Sequence, residues 1–158
     1  MNNDIDALFD ESINLEINVG HLYGLFNNLF PAHAEFWWKL EFEEYNHASL
    51  IRSGRDHFKP VNNFPVKLLD QSLVDLKAAN HNLQTLIGKY KKSRPSEEEA
   101  FNKALMIEMS AGELHFQEFM SKEACSFTEE IFKKLNKEDR DHAARIRDYM
   151  KQHGIEEI

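Results

Sequence analysis

The chain has 158 residues, a net charge of −8 and a single cysteine, Cys125. That length suffices for one domain with a real core, and the negative charge argues against nucleic acid and anionic membranes as partners. One cysteine excludes an internal disulfide and a Cys-x-x-Cys metal knuckle, and Cys125 reads as a half-buried loop residue.

The start, MNNDIDALFD, is acidic and lacks an apolar h-region, and no run is long enough to span a membrane. A cytoplasmic protein is therefore expected. Helical spacing predicts a first helix over about 4–30, with Leu8, Leu15, Glu16, Val19, Leu22, Tyr23 and Phe26 on its inner stripe. Gly20 on that stripe leaves room for a ligand or a close helix neighbour. Pro31 ends the helix. A short link leads to a second helix over 34–58, and so short a link predicts an antiparallel pair. Residues 59–65 form a turn region. A crossover helix is predicted over 66–91, with Leu69, Leu73, Leu76, Leu83, Ile87 and Tyr90 as its apolar stripe. Ser96-Glu97-Glu98-Glu99 is a capping box that opens a helix running to about 121. Ser126-Phe127-Thr128-Glu129 is a second box, opening a helix to about 152 with Gly154 as its C-cap. No segment reads as a strand. The chain thus divides into a helix pair (4–58), a crossover (66–91) and a second pair (96–153), all in one domain. Two antiparallel pairs joined by a long crossover make an all-α four-helix bundle.

The two pairs repeat each other. FWWKLEFEEYNHASLI, residues 36–51, lies on IFKKLNKEDRDHAARI, residues 131–146, without a gap. Leu40 falls on Leu135, Glu44 on Asp139, His47 on His142 and Ile51 on Ile146. Upstream, Leu15-Glu16-Ile17-Asn18-Val19-Gly20 pairs with Ile107-Glu108-Met109-Ser110-Ala111-Gly112. Each copy holds a lone Glu and then a carboxylate-x-x-His, and a repeat of this kind sets architecture.

Residues i and i+3 share a helix face, so each carboxylate-x-x-His is a two-toothed clamp. In the bundle, Glu16, Glu44, His47, Glu108, Asp139 and His142 project toward one interior point. Four carboxylates there bring about −4 of charge into a low-dielectric core, where they protonate unless compensated. Two divalent cations would neutralise them, and mixed oxygen and imidazole donors suit iron, manganese or zinc better than calcium. Tyr23 and His115 stand seven residues past Glu16 and Glu108, on the same faces. They are candidates for hydrogen-bonding a ligand or passing protons, the catalytic part of such a site. His21, His33, His57, His81 and His153 read as surface residues. Trp37, Trp38 and the phenylalanines read as core or dimer-interface mass.

The constellation resembles the ferritin-like diiron-carboxylate superfamily and, within it, the rubrerythrin-type domains. The resemblance covers nearly the whole chain and rests on Glu16, Glu44-Tyr45-Asn46-His47, Glu108 and Asp139-Arg140-Asp141-His142 taken together. It implies two iron ions per chain, with His47 and His142 as terminal nitrogen ligands and some of the carboxylates bridging. It implies redox chemistry: reduction of hydrogen peroxide or reaction with dioxygen, or else iron handling by oxidation of Fe(II). A bundle with a structural metal, such as zinc, is the non-enzymatic alternative. Asp139 stands where the family has Glu, so either Asp139 or Glu138 is the last carboxylate. The four-cysteine rubredoxin module of rubrerythrins proper is missing here, so an external electron donor, rubredoxin-like or other, is implied. A homodimer is expected from the crossover stripe and the aromatic content.

Overall fold

The computed structural model describes residues 2–65, 68–69, 72–110, 118–135 and 141–158. Among the described residues every regular element is helical and none is a strand. None of these helices is long and apolar enough to cross a membrane.

Helix α1 (Asn2–Leu29) stops at Pro31, which opens a single 3₁₀ turn (Pro31–His33). Helix α2 (Ala34–Phe58) follows at once. Lys59 meets Asp6, Arg55 meets Asp10, Tyr45 lies over Gly20 and Glu41 lies over Gly24. One number falls as the other rises, so α1 and α2 run antiparallel as the short link predicts. Gly20 is needed for this approach: a Cβ there would stand 2.7 Å from the Tyr45 ring. Its small size serves a close helix neighbour.

Helix α3 (Leu73–Lys92) lies along α1 in the same direction, with Asn80 beside Asn18 and Glu11, and Tyr90 against Phe26. It begins later than the predicted 66. Ser72 caps it, its Oγ accepting from the Asp75 N–H at 3.2 Å. Leu69 fits the apolar spacing but lies outside the helix, buried in a different cluster with Phe9, Phe64 and Phe132.

Helix α4 (Glu97–Glu108) starts at the expected box, with Ser96 Oγ accepting from the Glu99 N–H. Its first piece ends at Glu108, where Ser110 turns back to the Ile107 carbonyl at 2.8 Å, and residues 118–121 are helical again, stopping where the sequence predicts; residues 111–117 lie outside the described residues. The last predicted helix is also divided. Helix α5 (Phe127–Leu135) opens at the second box, and helix α6 (His142–His153) begins afresh. Asp141 stands between them in the left-handed region, φ 67° and ψ 48°, with its carboxylate accepting from the Ala144 N–H. No α-helix passes through such a residue, and Asp tolerates it better than most. Gly154 caps α6 as expected.

Phe101 meets Phe36 and Trp37 while Tyr149 meets Phe36 and Phe101, and His142 meets Glu44 and Glu108. Helix α4 therefore runs with α2, and α6 runs against both. The core forms two apolar clusters. One centres on Trp37, Phe26, Tyr23 and Phe101, the other on Phe9, Phe64, Leu69 and Phe132. Three assignments change in detail: His33, read as a surface residue, is buried; Cys125, read as half-buried, is exposed; and Trp38, read as core or dimer-interface mass, stacks on Phe42 outside the core.

Asn80 is the polar tie between α3 and α1, accepting from Asn18 at 2.8 Å and donating to the Glu11 backbone and side chain. Asn80→Ala removes these bonds and strands a buried amide, so it should cost roughly 1–3 kcal/mol of unfolding free energy, read by urea denaturation.

Candidate metal centre

Between the two apolar clusters lies a polar layer. On α2, Trp37 and Leu40 belong to the first cluster, Ala48 and Ile51 to the second, and Glu44 and His47 fall between them. Glu16 of α1, Glu108 at the end of α4 and His142 at the start of α6 complete the layer. All five are buried, with Glu44 at 0% exposure and Glu108 and His142 at 1%. Helical periodicity explains Glu44 and His47. Each stands a turn along from an apolar core residue, so the α2 face that buries Leu40 must bury them too.

The donors form two groups. Glu16, Glu44 and His47 offer ligand atoms within 4.8 Å of one another, and so do Glu44, Glu108 and His142. Glu44 belongs to both. In the first, His47 Nδ1 is 3.3 Å from Glu16 Oε2 and 3.5 Å from Glu44 Oε2. In the second, His142 Nδ1 is 2.8 Å from Glu44 Oε1 and 3.4 Å from Glu108 Oε2. The two imidazoles lie nearly parallel, 5.5 Å apart. Both oxygens of Glu44, Oε2 of Glu108 and Nε2 of His142 are buried, yet none makes a hydrogen bond among the described residues. Their approaches have the distance of a charge contact without the angles of a hydrogen bond. Buried polar atoms are ordinarily satisfied, so this layer departs from the rule at four atoms together.

Without metal the charges compensate one another. Burial works against a charged His47, but Glu16 and Glu44 outweigh it and raise the imidazole to about 10. Burial likewise opposes a charged His142, and Glu108 and Glu44 hold it well above the usual histidine value. Burial would raise Glu44, but His142 and His47 keep it well below the carboxylate range. Glu16 is pushed up to about 7 by burial, which His47 only partly offsets.

Five of the six expected ligands are thus brought together. The sixth, Asp139, and its alternative Glu138 lie outside the described residues, as does His115. The second clamp is not a copy of the first: Glu44 and His47 share one continuous helix, whereas α6 begins only at His142. Tyr23 donates its hydroxyl to Glu108 Oε1, so it does stand beside the layer.

Two residues escaped sequence reasoning. Glu43 Oε2 lies 3.1 Å from His142 Nε2, and Arg145 donates to that same oxygen at 2.6 Å. Burial would raise Glu43, but His142 and Arg145 lower it. A signal was available. In the gapless repeat Glu43 falls on Glu138, so an acid precedes the clamp carboxylate in both copies.

Comparison with known proteins returned no matching family model, no matching curated protein and no matching solved structure.

The direction of these shifts sets the pH response of metal-free protein. His47 is raised from 6.5 to about 10, so its contribution is whole below pH 6.5 and lost as pH climbs through about 10. Glu16, raised from 4.5 to about 7, also loses its contribution as pH rises. Glu44 is lowered and acts oppositely, failing only as acid protonates it. In chelator, the denaturation midpoint should fall from about pH 7 to about pH 10, and His47→Gln should flatten that slope.

Proposed function

We propose that this chain is a ferritin-like, rubrerythrin-type diiron protein that reduces hydrogen peroxide or reacts with dioxygen. The observation that carries the reading is the pair of three-donor groups sharing Glu44. Two adjacent sets, each with an imidazole and two carboxylates, suit a pair of divalent transition ions, and the shared carboxylate suits a bridge. The antiparallel α1 and α2, the crossover α3 along α1, and α6 running against α4 agree with a four-helix bundle of that family.

Glu16 and His47 would hold one ion, Glu108 and His142 the other, with Glu44 between them. Iron bound there would supply two-electron reduction of an O–O bond, with electrons from a donor protein. The chain's own residues prepare the place. Glu43 stands 3.1 Å from His142 Nε2, a charge contact that favours a hydrogen on that nitrogen, so Nδ1, which faces Glu44 and Glu108, would be the nitrogen that loses its proton to bind an ion. Arg145 fixes Glu43 in turn. Tyr23 holds one oxygen of Glu108 and leaves the other facing His142. The apolar clusters on either side exclude bulk water, which strengthens every charge contact in the layer. Binding displaces the protons that the two imidazoles carry in metal-free protein, so affinity rises with pH through that range.

Anaerobic Fe(II) titration tests the reading. Two irons per chain should bind, one for each donor group, and hydrogen peroxide should then be consumed with new near-ultraviolet absorption. Zinc binding with no redox response would overturn the oxidoreductase assignment. Glu44→Ala should abolish binding of both ions, because it serves both groups, whereas His142→Ala should spare the Glu16–His47 group. Loss of one ion only in Glu44→Ala would contradict a shared ligand. Glu43→Gln should weaken metal affinity about 10–100-fold while leaving stoichiometry intact.

A further inference from the structure

Helices α3 and α4 run antiparallel, since α3 lies along α1 and α4 along α2. They meet at their joined ends, where Tyr90 donates to Glu99 at 2.9 Å and Lys89 stands 3.4 Å from the same oxygen. Further along, no hydrogen bond or ion pair connects them among the described residues. Each rests on α1 instead: Asn80 and Tyr90 tie α3 to it, and Glu108 ties α4 to it. The space left between them is a groove of about 570 Å³. That volume falls within the roughly 300–1,000 Å³ of small-molecule sites.

Leu15 of α1 and Ile107 of α4, both buried, form the floor. Ala78, Ala79 and Leu86 of α3 face Met106 of α4 across it. Scattered apolar side chains at a surface need no explanation, but this trough is continuous and carries charge only at its ends. Lys103 lies one turn past Glu99, at the joined end, and Asp75 lies in the first turn of α3, at the open end. Lys103 makes no ion pair among the described residues, because Glu99 is already engaged by Tyr90 and Lys89. In a chain of net charge −8, the one cation lining an apolar groove is left without a carboxylate.

We propose that this groove binds a medium-chain aliphatic carboxylate, its anion on Lys103 and its alkyl chain between α3 and α4. The two ends set the direction, since the anion is attracted at Lys103 and repelled at Asp75. From Asp75 to Leu86 the α3 wall rises about 16 Å, which sets the length of chain it can cover. Met106, unbranched and adaptable, suits a flexible chain. A docked helix suits the groove less well. A helix is about 10 Å across, so 16 Å of one occupies about 1,250 Å³, roughly twice the space available. The site uses none of the residues of the buried carboxylate–imidazole layer, so it stands whether or not the diiron reading does.

Calorimetric titration of the full chain with sodium decanoate, kept below its micelle threshold, tests the site. Saturable binding of one decanoate per chain is expected. Lys103→Gln should weaken it about tenfold or more while leaving the weaker binding of decanol unchanged, a split that lost packing would not produce. Ala78→Trp, at an exposed position, fills the trough and should remove the binding of both. Met106→Glu, also exposed, blocks it by a second route, with a carboxylate set against the alkyl chain. Trp38→Ser with Phe42→Ser removes the exposed aromatic pair elsewhere on the surface and should change nothing. Absence of saturable binding overturns the proposal. So does binding that is indifferent to Lys103→Gln or to both blocking variants, or that follows Trp38 and Phe42 instead. Sedimentation of the same samples tests the other occupant: a dimer that Met106→Glu splits, with no decanoate bound, makes the groove an interface between copies and overturns the ligand site as well.

Discussion

Three carboxylates and two imidazoles share one dry layer between two apolar clusters, and the helices around it are arranged by that burden. An ionised carboxylate in such a place costs several kcal/mol unless it is paired. Glu44 cannot be paired by its own helix alone, because His47 is one turn away and also serves Glu16. Its second partner, His142, comes from α6, about a hundred residues along the chain. The layer therefore holds only when α1, α2, α4 and α6 are all docked. Charge neutrality in the interior, rather than any single apolar contact, links the first half of the chain to the second.

The apolar clusters make the layer expensive to misplace. Trp37, Leu40, Ala48 and Ile51 fix the rotation of α2, and any turn that exposed Glu44 would expose them. Gly20 and Gly24 let α1 come close enough for Tyr45 and Glu41 to lie across it, which sets the depth at which Glu16 meets His47. On the other side, Phe36, Phe101 and Tyr149 lock α6 against α2 and α4. Hydrophobic burial supplies the stability, and the polar layer supplies the register, since only one alignment brings opposite charges together.

Much of this was legible in the sequence because it rests on periodicity. The inner stripes of α1 and α2, the short link at Pro31 and the serine caps at Ser96 and Ser126 are local signals, and local signals survive folding. So is the placement of Glu16, Glu44, His47 and Glu108. What failed was extrapolation. Leu69 continued the spacing of α3 by coincidence, and the α3 start was set by Ser72 instead. The repeat of 36–51 in 131–146 suggested one continuous helix, but it aligns Asp141 with Asn46, and a residue that tolerates left-handed backbone says nothing in advance about whether it will adopt it. Glu43 was missed for a different reason: its role depends on α6 meeting α2, a tertiary contact that no helical wheel contains.

The break at Asp141 has a physical consequence for the layer. His47 is held by a helix that continues for many residues on either side, so its position is set by the backbone of α2. His142 is the first residue of a short helix, where the backbone has four unsatisfied N–H groups and the least rigidity. Asp141 satisfies one of them from the N-cap, which fixes the first turn of α6, and Glu43 with Arg145 fixes the ring. Arg145 stands one turn after His142 on α6, so a single carboxylate of α2 grips that helix at two points. His47 is anchored by its helix, whereas the position of the His142 imidazole is set by charge across the α2–α6 contact.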